Sequence, residues 1–246
     1  MTRRLKGRQH LTVLGAQSVR WSNKIDLAPE RLDQPIRWKR PRLIFVNSLS
    51  DVFHKDVPFE YVAAMFGVML IAEQHTFQIL TKRADRMVEF YKWLGPMDTI
   101  QPAIRALSMA SKYGIKIPND IRMAPFPNVW MGVSVEDQKR ADERIPLLRQ
   151  VPAAVRWLSC EPLLGKVDLD LDGIHWVVVG GESGPGARPM DAEWVRAIRD
   201  ECVADDVPFF CKQWGQYDEN GVKHTSKKDA GCEIDGVDWK QYPATP

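Results

Sequence analysis

The feature that most constrains this chain is a repeated unit. A short run rich in valine, isoleucine, phenylalanine and tryptophan is followed by polar residues and then by a segment of helical spacing. Arg42–Val46, Thr76–Leu80, Asn128–Val135, Val155–Cys160, Trp176–Val179 and Val207–Cys211 all have this form. Apolar runs of that length, bounded by turn residues, are the signature of buried strands. Strands that alternate with helices build parallel β/α units, and consecutive crossovers share one hand. The polar ends of all six strands are therefore expected along one rim of an α/β fold. Six such units suit either an open twisted sheet or part of a β/α barrel.

The intervening segments fit this scheme. Asp56-Val-Pro58 predicts the start of a helix, with Asp as cap and Pro in the first turn, leading into Tyr61–Gln74. That segment is apolar nearly all round, so neighbours must cover it on more than one side. Helices are also expected over Asp85–Leu94, Gln138–Arg149 and Ala192–Val203, the last two capped by Asp137 and Asp191. Residues 95–127 form a long insertion with helical pattern at Ile104–Lys112, readable as a lid, a substrate-selecting element or a plain surface excursion. Before the first strand, the basic run Arg3, Arg4, Lys6 and Arg8 suits a helix end or a solvated arm, and Pro29 and Pro35 bracket a short helix at Glu30–Leu32. From Gln216 the chain is polar, and Asp235-Gly236 signals a tight turn in a small hairpin or loosely held cover. Residues 1–215 thus read as one domain and 216–246 as its tail.

At 246 residues the chain can bury a full core without a metal or disulfide. Its formal charge of +2 neither demands a nucleic-acid partner nor excludes a local basic groove. No apolar segment reaches the roughly 18 to 20 residues that a membrane helix needs, and no signal peptide is evident, so a cytoplasmic location is expected. Cys160, Cys202, Cys211 and Cys232 are widely spaced, which predicts reduced thiols and no locally assembled metal site.

The rim gathers Asn47, Ser48, Asp51, Thr81, Lys82, Ser134, Glu136, Glu161, Glu182, Lys212 and Gln213. Arg83 and Arg188 lie in the loops behind it, and Gly180 and Gly181 are placed where backbone could approach a ligand closely. This mixture suits a ligand that carries both an amine and a carboxylate. It does not suit a hydrolase: the chain has no Gly-x-Ser-x-Gly elbow, no Walker loop and no His-Glu-x-x-His helix. His54, the one histidine near a strand end, reads as structural.

Taken as an ordered set, the strand ends resemble a known family. Ile44-Phe-Val-Asn-Ser-Leu-Ser-Asp-Val-Phe-His54, His75-Thr-Phe-Gln-Ile-Leu-Thr-Lys-Arg83, Val129-Trp-Met-Gly-Val-Ser-Val-Glu-Asp137, Leu158-Ser-Cys-Glu-Pro-Leu-Leu164, Gly180-Gly-Glu-Ser-Gly184 and Phe209-Phe-Cys-Lys-Gln-Trp-Gly215 carry the likeness. They are similar to the phage gene-product thirty-seven / sixty-eight family, the three-cysteine-motif proteins. The resemblance implies a partial (β/α) barrel of the radical-SAM type. In such enzymes, three cysteines after the first strand hold a 4Fe-4S cluster, whose open iron binds S-adenosylmethionine and cleaves it to an adenosyl radical. By that resemblance Asn47, Ser48, Asp51, Lys82, Ser134, Glu161 and Glu182 would hold the cofactor, while Arg83, Glu136, Arg188, Lys212 and Gln213 would face substrate. A three-cysteine-motif partner protein is implied as well.

The chain departs from that pattern at its start. The family's cysteine cluster lies upstream of the segment that Met1-Thr-Arg-Arg-Leu-Lys-Gly7 resembles, so the first strand and all three cluster ligands are missing, and the four cysteines present cannot replace them by spacing. The expectation is a start codon assigned too late, with radical chemistry only in a longer protein. A second expectation follows, an unpaired edge beside Arg42–Val46. The competing reading is a cluster-free module that binds a nucleotide, nucleic acid or partner protein through the same rim.

Overall fold

The computed structural model describes residues 12–14, 19–21, 24–124, 126–184, 186–226 and 228–244. The basic run of residues 3–8 lies outside them. The first described elements are strands β1 (Thr12–Leu14) and β2 (Val19–Trp21), which pair antiparallel as a sheet of their own. In place of a helix at Glu30–Leu32 there is a 3-10 turn at Pro29–Arg31 and one α-turn, α1 (Gln34–Arg37). Each opens on a proline in its first turn, where the missing N–H costs nothing.

The main sheet follows the six predicted strands: β3 (Leu43–Val46), β4 (Thr76–Thr81), β5 (Val129–Ser134), β6 (Val155–Cys160), β7 (Trp176–Gly180) and β8 (Phe209–Gln213). All neighbours are parallel and their spatial order is their order in the chain. Each right-handed crossover therefore steps the same way, keeps the helices on one face and curls the sheet into a half-barrel. Of the two architectures compatible with the sequence, the chain adopts the barrel-like one.

Helices α2 (Phe59–Ile71), α3 (Ala84–Leu94), α5 (Gln138–Arg149) and α6 (Ala192–Ala204) connect the strands, and α4 (Gln101–Lys112) is extra. Asp137 and Asp191 cap α5 and α6 as expected, accepting from Arg140 N and Glu193 N. Asp56 does not cap α2. Its carboxylate faces His54 at 3.7 Å, and the helix begins beyond Pro58, whose carbonyl accepts from Tyr61 and Val62. The same helix stops at Ile71 rather than Gln74, because Asn128 Nδ2 donates to Met69 and His75 carbonyls at 2.9 Å and turns the chain into β4.

The helical part of the insertion is a packed element. Helix α4 lies against α2, burying Ala103, Ala106, Leu107 and Ala110, and its backbone at Ala106 passes directly over Gly67. Sheet on one side and α4 on the other explain why α2 is apolar all round.

Two clusters fill the sheet's two faces. The helix side holds the larger core, including Phe53, Phe66, Phe90, Ile79, Met131 and Leu158. The concave side holds Trp130, Val155, Trp157, Trp176 and Val178, flanked by Leu80 and Phe210. The tail forms the expected hairpin, β9 (Glu233–Ile234) and β10 (Val237–Asp238), with Asp235 and Gly236 both at positive φ. It is more than a loose cover. Ile234 is in the core, Trp239 O accepts from Cys211 N at 2.9 Å, and Tyr242 stacks on Trp176 with centroids 5.3 Å apart.

Candidate site on the concave face and carboxyl rim

Alternation along each strand sorts side chains between the two faces. From Leu43 and Phe45 on β3, the register passes to Thr76, Gln78 and Leu80, then to Trp130, Gly132 and Ser134, then to Val155, Trp157 and Ser159, and on to Trp176 and Val178. The concave face is thus aromatic at its floor and changes to hydroxyls and then charges at the rim. Two glycines shape it. Gly132 has no side chain, so the Trp157 indole lies over β5 and its ring meets Phe45 of β3 at 6.3 Å. Gly180 likewise leaves room for Glu161, whose Cδ would be 3.2 Å from a Cβ there.

At the rim the charges are paired across strands. Glu136 accepts from Lys82 Nζ and, at 2.8 Å, from Arg144 Nη1. Burial pushes the Glu136 carboxyl up, but the Lys82 hydrogen bond and the two cations outweigh it and hold the group below its ordinary value. Glu161 reaches Lys212 Nζ at 2.7 Å and lies 3.4 Å from Gln213 Nε2. Asp51 joins the β3 loop to the end of β4. Its oxygens accept from Phe53 N, Thr81 Oγ1, Lys82 N and Arg83 Nη1 at 2.8 to 3.1 Å. With that many donors, Asp51 organises the loop, and Arg83 is its ion-pair partner. Asn47, in the left-handed region at φ 64°, and Ser48 are exposed beside it.

The loop after β7 differs from expectation. Close packing of main chain accounts for Gly181 and Gly215: a Cβ on Gly181 would overlap the Trp214 carbonyl, and one on Gly215 would overlap that of Glu182. The two loops lie backbone to backbone, tied by Gly181 N to Gln213 O and Gln216 N to Glu182 O, both at 2.9 Å. Within this loop Arg188 wraps Glu182, donating from N, Nε and Nη2 at 2.9 to 3.1 Å. Those bonds hold the Glu182 carboxyl down at about 2. The structure therefore brings Lys82, Ser134, Glu136, Glu161, Lys212 and Gln213 to one rim, but turns Glu182 and Arg188 toward each other. Sequence reading missed Phe45, Gln78, Arg144 and Trp157. Period-two alternation from Phe45 would have placed Gln78 beside it.

These features define a parallel α/β half-barrel with a charged carboxyl rim. Over residues 1–243 the chain matches the family described as a protein of unknown function (DUF5131), and it belongs to that family. Searches of curated proteins and of solved structures returned no match. Among the described residues no helix is long and apolar enough to cross a membrane.

Proposed function

We propose that the chain is a radical-SAM-like half-barrel whose rim holds S-adenosylmethionine or another ligand that joins an amino-acid zwitterion to a nucleoside. The observation that carries the reading is the pair of cross-strand ion pairs, Lys82 with Glu136 beyond the adjacent strands β4 and β5, and Glu161 with Lys212 across the intervening strand β7. A zwitterion can enter between them, its amine to Glu161 and its carboxylate to Lys82 or Lys212, replacing each pair by an equivalent one. Ser134 and Ser159, buried just inside, offer hydroxyls to a ribose.

The thiols present do not fit a 4Fe-4S cluster. Cys160, Cys202 and Cys211 are buried in the apolar layer, and burial pushes the Cys202 and Cys211 thiols up to about 12, away from the thiolate that iron needs. Radical cleavage would need cluster ligands from elsewhere, so for this chain the reading is cofactor binding, and no redox step is assigned to its residues. That favours, as a second reading, a cluster-free module whose partner is a protein or nucleic acid docked on the same rim.

Calorimetric titration of the 246-residue chain with S-adenosylmethionine tests the first reading. Glu161→Gln is expected to weaken binding at least about tenfold, the loss of one charge-assisted hydrogen bond. Binding that is absent, or unchanged in the variant, sinks it. Charge reversal at Lys82 that instead abolishes capture of an oligonucleotide supports the second reading.

A further inference from the structure

The floor of the concave face lies below the rim and holds two unused donors. Gln78 sits on β4 between Phe45 of β3 and Trp130 of β5, and is 7% exposed. Trp157, 3% exposed, lies over Gly132 in the next layer. Gln78 Nε2 and Trp157 Nε1 are both buried without a hydrogen-bond partner among the described residues. An orphaned donor in an apolar setting is costly, and two on one face of one sheet call for a common acceptor. Phe45, by contrast, is 44% exposed and stands at the end of the sheet, where among the described residues only β4 flanks it. Its ring meets the Trp157 indole edge to face and can rotate away without disturbing a second neighbour strand.

We infer that this floor is a binding site for a planar ring bearing carbonyl acceptors, of the uracil class of nucleobase, which enters where Phe45 rotates aside and accepts hydrogen bonds from Gln78 Nε2 and Trp157 Nε1. The aromatic walls supply stacking for any base, worth a sequence-tolerant part of the affinity. The donors supply the choice, because two carbonyl oxygens satisfy both of them, whereas cytosine brings one carbonyl oxygen and adenine none. From Trp157 in β6 to Glu161 just beyond its end is four residues, about 13 Å at strand rise. A base on the floor therefore does not reach the Glu161–Lys212 pair. If both readings are right, the floor takes the molecule acted upon and the rim takes the cofactor.

The test is quenching of tryptophan fluorescence by uridine, with cytidine and adenosine as comparison ligands. Uridine should bind, at least about fivefold more tightly than cytidine. Gln78→Leu, which keeps the volume and removes the donor, and Trp157→Phe, which keeps a ring over Gly132, should each weaken uridine about tenfold. Gln78→Leu should leave the free protein as stable as before or more so, since an unmatched donor is gone. No uridine binding, equal affinity for all three nucleosides, equal uridine affinity in the variants, or a free protein destabilised by Gln78→Leu would each overturn the inference. Glu161→Gln separates the two sites: it should weaken S-adenosylmethionine and leave uridine unchanged, so either site can fail alone.

Discussion

The carboxylate of Glu161, just beyond β6, lies across Gly180 of β7 and meets Lys212 of β8 at 2.7 Å. One side chain thus spans a whole strand because the strand beneath has no Cβ. Gly132 plays the same part for the Trp157 indole, but there the neighbour is rigid and buried. The two glycines should respond differently to alanine. Gly132→Ala is expected to lower stability by about 1 to 3 kcal/mol, the cost of overpacking. Gly180→Ala should cost less than about 1 kcal/mol, because Glu161 can swing outward, and should appear instead as weaker ligand binding. Urea melts and titrations of both variants check this, and equal losses of stability would contradict it.

Gly67 gives a second test. Its Cα lies under the Ala106 backbone, and no rotamer change can relieve a clash with main chain. Gly67→Ala should therefore force α4 away from α2 and cost about 1 to 3 kcal/mol, in spite of alanine's better helix propensity. Hydrogen exchange should localise the loss to residues of both helices.

Strong acid should loosen the hairpin of the tail. Arg196 and Arg199 of α6 hydrogen-bond to Asp235 and hold its carboxyl down from 3.8 to about 2. A folded-state value below the unfolded one means that the contribution is present above the unfolded value and is lost as pH falls toward about 2. Asp235→Asn keeps a residue that tolerates the positive φ at this turn and removes the charge. The variant should show the hairpin's resonances already loosened at neutral pH, with no further change between pH 4 and about 2. A wild-type carboxyl that titrates at its ordinary value would rule out the pairing.

Thiol chemistry tests the cluster argument directly. Cys160, Cys202 and Cys211 are buried, whereas Cys232 is half-exposed. A chromogenic disulfide should modify one thiol of the native protein quickly and all four after denaturation. Anaerobic incubation with iron and sulfide should leave the chain colourless. A stable brown cluster on this chain would show that its thiols can be recruited after all.

The six strands and the shared rim were legible because each strand carries its own apolar run and its own polar terminus, whereas their sequential order, which separates the half-barrel from an open twisted sheet, is seen only in the structure. What escaped is non-local. Asp56 looks like a cap, and only Asn128, distant in sequence, reveals where α2 stops. Gly181 looks like a ligand contact until Trp214 is seen pressed against it. The fate of Glu182 depended on Arg188 folding back, a choice of rotamer that no spacing rule encodes. The insertion could be located but not placed, since its covering role depends on one glycine, Gly67.

The two ends of the main sheet are unequal. Residues 239–241 pair with β8, through Phe210 with Lys240 and Gln241 N with Phe209 O at 3.1 Å. At the other end, among the described residues, β3 pairs with β4 alone, and Leu43 and Phe45 stand exposed. Growth of this sheet is consequently one-sided. Two molecules joined through β3 would each use the end that is open among the described residues, so an association of that kind stops at a pair.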